Sequence, residues 1–362
     1  MNDDLARLAM RRAGLAALLG QLLLEEPSPS LRPLVEDVDA LRPLAAGGPQ
    51  LASEYERCFL RGVALHESVF RSDDGQQGGA PLTSVVETYE RLGFGEHADG
   101  RWRVGGVDHL GIELRCYGEL CRREAEAWRD DIGDAATSAV ETERRFLAAH
   151  VSAWIDVALD AAREVVGDGP YRPLVDAAIE FVADEHDRLR PAPALGEPIE
   201  VGAPPEHLGP ARLARLLLAP DRAGGWLTTT SIGQAAQTIG VPWRPSDTRA
   251  ALRHVVEAAH EAGELPALLG AIRPVVDGWA SCHAERGTRV EGNAAHARAW
   301  ERRARSMSAL LDRIIDAGGL DLPTLSVSET VVVRGSDVGR LADAVDRAVA
   351  DLRAAGFDVD RR

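Results

Sequence analysis

Apolar side chains recur every three or four residues along most of the chain, which is the period of an amphipathic α-helix. The first stripe follows residues 5–24, where leucines dominate one side. In the first half of the chain, similar stripes predict helices over 31–44, 49–61, 85–92, 109–129, 137–166 and 172–189. Because helical periods predominate over the period-two alternation of strands, this half predicts a helical bundle.

The second half begins after a change in composition. Residues 191–210 contain six prolines and little periodicity, so we expect a linker there. Beyond it, apolar stripes predict helices over 209–219, 231–240, 247–262, 265–279 and 293–317. The last segment has a different pattern, with a β-branched run at 325–334, a helical stripe at 337–355 and a short apolar run at 357–359.

These patterns predict three parts. Residues 1–190 form an all-α helical bundle domain, residues 191–210 a proline-rich linker, and residues 211–362 a mainly α-helical domain that ends in a small α/β element. With 362 residues, the chain is long enough for two domains with sizeable cores.

The start of the helix over 109–129 combines ionisable and apolar residues. Asp108 is a good N-cap, and Leu110, Leu114 and Tyr117 then fall on one apolar stripe. One interpretation is a capped core helix with His109 in its first turn. The other is a polar anchor at a helix N-terminus beside an apolar groove. On these residues alone, the core helix is favoured.

Three blocks of residues resemble one family. Tyr-x-x-x-Phe at 55–59 precedes Glu-Ser-Val-Phe at 67–70, Asp-His-x-x-x-Glu-Leu spans 108–114, and Phe-Leu-x-x-His-x-x-x-Trp spans 146–154. In order and spacing these blocks resemble the TorD/DmsD family of chaperones that mature molybdenum redox enzymes. The resemblance covers about residues 5–190 and implies a TorD-like helical bundle. It departs from the family at His66, where many members carry a proline or an aromatic residue.

The resemblance implies a binding site for a leader peptide that carries two arginines followed by an apolar stretch. Carboxylates would accept guanidinium groups, and an apolar groove would hold the rest of the peptide. The residues expected to bind the client are Asp108, His109, Glu67, Ser68, Tyr55, Phe59, Phe70 and Leu114.

A structural interpretation of the same residues stays open. The i, i+4 pair Tyr55 and Phe59 is typical of a core, and Glu67 and Ser68 would then cap a turn. We interpret His150 and Trp154, also four residues apart, as mainly structural.

Composition narrows the class of function. The formal net charge of −16 argues against general binding to nucleic acid or anionic membranes and suits a cationic partner. The four cysteines lack the spacing of a metal site, and the chain carries no signature of a hydrolase, a nucleotide-binding loop or a metalloprotease. The sequence therefore predicts a protein that is not an enzyme and that has no cofactor or metal.

The N-terminus superficially mimics a twin-arginine export signal. Arg11 and Arg12 precede the apolar run Ala13–Leu24, but that run ends in Glu25-Glu26-Pro27 with no convincing cleavage site. We expect a folded helix instead. The run is also too short to span a bilayer, and we expect the protein to be cytoplasmic.

The sequence thus predicts a cytoplasmic chaperone that binds the leader or the apo form of a molybdopterin oxidoreductase subunit, assists cofactor insertion and delays export. Two alternatives stay open. One is an assembly factor that recognises the folded body of a client that is not exported. The other is a DNA-binding regulator, because residues 231–241 resemble the first helix and turn of a helix-turn-helix unit. The resemblance to the TorD/DmsD family also implies that the protein can form a homodimer.

Overall fold

The structure, a computed structural model, describes residues 2–95, 104–191, 208–244, 247–289 and 293–320. The helices of the first half are α1 (Asn2–Leu24), α2 (Arg32–Glu36), α3 (Pro49–Tyr55), α4 (Glu67–Arg71), α5 (Gly79–Leu92), α6 (Leu110–Arg129), α7 (Gly133–Phe146), α8 (Ile155–Val166) and α9 (Arg172–Leu189). A 3-10 helix at Asp39–Ala46 and π-helical turns at Glu56–Leu60 and Leu147–Val151 complete this half.

The described part of the second half is also helical. Its helices are α10 (Pro210–Leu218), α11 (Pro220–Ala223), α12 (Thr229–Thr238), α13 (Thr248–Glu261), α14 (Leu265–Arg289) and α15 (Ala294–Asp316). The predicted all-α fold is confirmed. The predicted α/β element at 325–359 and most of the predicted linker lie outside the described residues.

The prediction of one continuous helix over 137–166 is wrong. The chain leaves helical geometry between α7 and α8, where Trp154 has φ −142°. The hydroxyl of Ser152 lies 2.7 Å from His186 Nε2, and the carbonyl of Ala153 accepts a hydrogen bond of 3.1 Å from the indole of Trp300. These tertiary partners satisfy polar groups at the break, and periodicity alone does not reveal them.

The ends of several other helices also differ from those predicted from the sequence. The predicted helix over 31–44 is divided into α2 and the 3-10 helix, and α4 was not predicted at all. Helix α14 continues ten residues beyond the predicted end at 279. Short helices and irregular turns take their shape from packing, which local propensity does not determine.

Helices α1 and α6 cross at very close range. A Cβ atom on Gly20 would lie 2.5 Å from the carbonyl oxygen of Gly111, and a Cβ on Gly111 would lie 2.6 Å from that of Gly20. Gly118 meets the carbonyl of Ala13 in a similar way, at 2.9 Å. The absence of side chains at these positions lets the two backbones touch.

Two apolar clusters underlie the helices. The first is built from α1 to α9 together with Trp300, and the second is built from α10 to α15. The halves contact each other through apolar side chains such as Trp300 and through polar groups, including an ion pair of 2.5 Å between Arg286 and Asp160. The division into two domains stays a prediction. Among the described residues, none of the helices is both long and apolar enough to cross a bilayer.

The crossing of α1 and α6 predicts a contrast between two glycines of the same helix. Gly20→Ala places a methyl group against the Gly111 carbonyl, so we expect the free energy of unfolding to fall by about 2 kcal/mol or more. Gly14 has no atom within 4 Å of an added Cβ. Gly14→Ala is therefore expected to stabilise α1 by up to about 1 kcal/mol through helix propensity. Urea denaturation of both variants checks this, and equal effects would contradict the close crossing.

Candidate functional site

Two segments that carry predicted site residues meet where α4 and α6 begin. His66 and His109 form an isolated antiparallel bridge, framed by backbone hydrogen bonds of 2.8 and 2.9 Å. In one of these bonds the N–H of Glu67 donates to the carbonyl of Asp108. The bridge therefore brings the Glu67-Ser68 and Asp108-His109 pairs together, although about forty residues separate them in the sequence.

The Asp108 carboxylate is buried and caps α4. Its Oδ2 accepts a hydrogen bond of 2.9 Å from the backbone N–H of Ser68, in the first turn of that helix. Its Oδ1 lies 3.3 Å from His66 Nδ1. Burial alone would raise the pKa of Asp108, but the contacts with His66 and Ser68 outweigh it and lower the pKa. The prediction that Asp108 caps the helix starting at 109 is wrong, because its carboxylate points to a different helix.

His109 is the N-cap of α6. Its Nδ1 accepts a hydrogen bond of 3.1 Å from the backbone N–H of Gly111. Burial and the nearby His66 lower the pKa of His109 far below its ordinary value, against an opposing contribution from Asp108. The imidazole is therefore neutral, with its proton on Nε2, and this buried nitrogen has no hydrogen-bond partner among the described residues.

The Glu67 carboxylate links three elements. One oxygen bonds to the guanidinium of Arg71, one turn further along α4, and the other lies 3.1 Å from His150 Nδ1 in the π-helical turn. His150 continues through Nε2 to the hydroxyl of Thr88 on α5, at 3.0 Å, and Arg71 donates to the carbonyl of Ala149 at 2.8 Å. Glu67 thus joins α4, α5 and the segment that connects α7 to α8.

Glu113 lies near these carboxylates and was not predicted as a site residue, although the Asp-His-x-x-x-Glu-Leu block contains it. Its side chain is fully buried in the first turn of α6. Burial raises the pKa of Glu113 far above its ordinary value, and the negative charges of Glu67 and Asp108 raise it further. A neutral Glu113 can lie beside Glu67 without charge repulsion, and neither of its buried carboxyl oxygens has a hydrogen-bond partner among the described residues.

The aromatic residues expected to line a groove lie in two different places. Tyr55 and Phe59 pack with Tyr171, at ring distances of 5.3 to 6.0 Å, and the Tyr55 hydroxyl donates to the carbonyl of Leu23 at 3.1 Å. Phe70 lies elsewhere, near the acidic residues. The structure therefore supports the core interpretation of the i, i+4 pair in this conformation.

Phe70 lies between two tryptophans, one from each half of the chain. Its ring centroid is 5.4 Å from that of Trp154 and 5.5 Å from that of Trp226, which stacks on it at 30°. Leu114 is also buried in the first apolar cluster. The four apolar residues predicted to line a groove are therefore buried in the described structure.

The expected open, acidic entrance to a groove is therefore not present in this conformation. None of the eight predicted client-binding residues is more than 3% exposed, and both predicted acids bond to internal partners. The structure brings Glu67 and Ser68 of α4 together with Asp108 and His109 at the start of α6. Phe70 also lies on α4. Their role in client binding stays a prediction, and it requires movement of α4.

A second buried acidic cluster holds the arginine that resembled part of an export signal. Arg12 bonds to Glu124 and lies 3.4 Å from Glu185, while Arg188 contacts Glu143 and Glu185 at 2.5 Å. Burial raises the pKa of Glu143 to about 8, and Glu124 contributes in the same direction. The expectation that α1 is a folded helix is confirmed, and Arg12 anchors it. No spacing in the sequence indicated these partners.

The structure does not favour the DNA-binding alternative. A long connection, residues 239–247, separates α12 from α13, whereas a helix-turn-helix unit joins its helices by a three- or four-residue turn. On α13, Arg249 donates to backbone carbonyls of the loop after α4, and Arg253 pairs with Glu257. The arginines that would contact phosphates are therefore engaged within the molecule.

The described part of the chain was also compared with the geometry that a metal site requires. No group of three or more histidine, cysteine or acidic side chains there is arranged to hold a metal ion. All four cysteines are free thiols, three of them buried.

Comparison with known proteins gives a match to a family model. Residues 25–160 match the family model of the nitrate reductase delta subunit. This range contains the bridge, α4, the first turn of α6 and the π-helical turn that carries His150. Neither the curated proteins nor the solved structures gave a match to the chain.

The different charge states of the buried residues Glu113 and Glu67 predict unequal effects of two conservative substitutions at pH 7. Glu113→Gln keeps a neutral side chain of nearly the same size, so we expect the free energy of unfolding to change by less than about 1 kcal/mol. Glu67→Gln removes the charge that holds Arg71 and is expected to destabilise by about 2 to 3 kcal/mol. Urea denaturation measures both, and a larger loss for Glu113→Gln would contradict a neutral Glu113.

The raised pKa of Glu143 predicts a dependence of stability on pH. Between the ordinary value of 4.5 and about 8, the folded protein keeps a proton on Glu143 that the unfolded chain has lost. The free energy of unfolding therefore falls as the pH rises through this window. Glu143→Gln should match the wild type near pH 5 and exceed it by about 1 to 2 kcal/mol near pH 8.5. Parallel pH profiles of the two proteins in urea denaturation would contradict the assignment.

Proposed function

We propose that this protein binds the apo form of a molybdopterin-dependent catalytic subunit, because residues 25–160 match the family model of the nitrate reductase delta subunit, a family of molybdoenzyme maturation chaperones. It holds the client until the cofactor is inserted, through binding and delayed release, and it needs no covalent step. Where the client carries a twin-arginine leader, the chaperone binds that leader in the cytoplasm and delays its export.

The observation that carries the proposal is the convergence of carboxyl groups at the bridge. Glu67, Asp108 and Glu113 come from two separate segments of the matched region and lie in one buried network. A guanidinium group is the cation that best matches such carboxylates, since its donors form a planar fork. Arg71 already occupies this position on Glu67, and its side chain is 25% exposed. A client arginine could therefore reach the same carboxylate by exchange with Arg71.

A second candidate function follows from the burial of the same residues. An assembly factor that recognises the folded body of a client that is not exported would not need accessible acids. The full burial of Asp108 and Glu67 in this structure favours recognition of a folded client body over recognition of a leader. Co-purification of the chaperone with a client that lacks its leader would support it. Loss of the complex on removal of the leader would support the first version.

Leader binding predicts a specific effect of the Asp108 charge. Asp108→Asn keeps an oxygen that can accept from the Ser68 N–H but removes the negative charge, so we expect leader affinity to fall at least tenfold while helicity is retained. Titration calorimetry with a synthetic leader that carries two arginines and an apolar stretch measures the affinity. Asp134→Asn, an exposed carboxylate in the first turn of α7, is the control and should bind normally.

Two outcomes would decide against the leader-binding version. If Asp108→Asn and Asp134→Asn bind the leader with the affinity of the wild type, the carboxylate at the bridge does not recognise the peptide. If the leader with both arginines replaced by glutamine binds equally well, guanidinium recognition is absent.

A further inference from the structure

The loop that follows α4 is held by the second half of the chain. Its residues Asp73, Asp74 and Gly75 each contact an arginine of that half. Arg222 forms an ion pair of 2.7 Å with the Asp73 carboxylate. Arg249 donates to the carbonyl of Gly75 at 2.8 Å and to that of Asp74 at 3.3 Å. The groups that accept hydrogen bonds from Arg249 are backbone carbonyls and carry no net charge. This contact therefore holds the loop backbone in place and does not neutralise a carboxylate.

The fit at Gly75 shows how closely this loop and the second half approach. Gly75 has φ +64°, and a Cβ atom there would lie 2.4 Å from the carbonyl oxygen of Leu218 at the end of α10. Any other residue would both strain the backbone and collide with α10. The loop therefore has little room between α4 and the second half.

The same face of α4 is covered by an aromatic ring from the second half. Trp226 stacks on Phe70, and the turn before it is packed tightly, since a Cβ on Gly225 would lie 2.1 Å from the ring of Trp279. One turn of helix separates Phe70 from Glu67, whose carboxylate is occupied by Arg71. Two neighbouring residues of α4 are thus already in contact with side chains of the chain itself. Arg71 bonds to Glu67, and Trp226 stacks on Phe70.

We infer that the second half of the chain is a built-in partner of the α4 face, and that it competes with the client for this face. The inference rests on the proposed function and gives the described part of residues 208–320 a role. Trp226 stands where an apolar side chain of the client would pack on Phe70, and Arg71 stands where a client arginine would bind Glu67. Client binding displaces Trp226, releases the loop from Arg222 and Arg249, and lets α4 move.

The client can compete with the second half because it would replace only a few contacts, and it would replace them with contacts of the same chemical kind. Trp226 is only partly buried, and the Asp73 side chain is 75% exposed in its ion pair with Arg222. A leader with arginines and an apolar stretch offers the same guanidinium and apolar groups in return. The Glu67 carboxylate keeps a positively charged partner when a client arginine replaces Arg71.

The test loosens the contact without changing α4 or the acidic network. Arg249→Ala removes the hold on the loop, and Arg253→Ala, one turn further along α13, is its control. Gly75→Ala introduces the collision with α10. Its control is Gly240→Ala, which has a similar φ of +72° but no atom within 4 Å of an added Cβ. All four are made in the full chain and checked for cooperative thermal unfolding.

The first measurement needs no client. The backbone N–H groups of Ser68 and Gly78 donate to Asp108 and to the Ser68 hydroxyl, so their hydrogen exchange reports on the α4 region. We expect exchange over residues 67–78 to accelerate at least tenfold in Arg249→Ala and Gly75→Ala and to stay unchanged in both controls. Unchanged exchange in the two loosened variants would overturn the inference.

The second measurement uses the synthetic twin-arginine leader. We expect the loosened variants to bind it at least threefold more tightly than the wild type, and the controls to bind it as the wild type does. Binding by the wild type with no gain in the loosened variants would overturn the competition and leave the proposed function intact. If no protein of the set binds the leader, the leader-binding proposal and the competition both fail.

Discussion

The candidate site depends on one buried interaction, the contact of the Asp108 carboxylate with the first turn of α4. A helix of five residues has little stability of its own, so an external acceptor for its N-terminal N–H groups contributes strongly to its formation. Asp108 provides that acceptor from a distant part of the sequence, and the bridge between His66 and His109 places it there. Through this contact, the position of α4 is tied to the start of α6.

Charge balance explains why the cluster is stable although it contains several acids. Asp108 is held ionised by His66 and Ser68, and Glu113 is held neutral by burial beside Glu67. Arg71 provides a formal positive charge to Glu67, and His150 ties that carboxylate to Thr88. Such a network tolerates the exchange of one cation for another, but it does not tolerate the loss of a cation without replacement. This property suits a site at which a client arginine replaces an internal one.

The sequence predicted the helical fold well, because long amphipathic stripes such as those of α1, α6 and α9 specify both helix and buried face. It also predicted that Glu67 and Asp108 belong together, since the blocks that carry them resemble one family. It did not predict that Asp108 caps α4, that α7 and α8 are separate, or that Trp226 covers Phe70. Each of these features depends on a partner far away in the chain, and neither periodicity nor local propensity contains that information.

We propose that the client is captured at the face of α4, with the acidic residues beneath it. The most direct measurement is the hydrogen-exchange footprint of a bound apo catalytic subunit on this protein. Capture at this face predicts that protection changes concentrate in residues 64–78 and 104–113 and extend to the turn that carries Trp226. A stable complex whose footprint leaves these segments unchanged and lies elsewhere on the helices would contradict the claim.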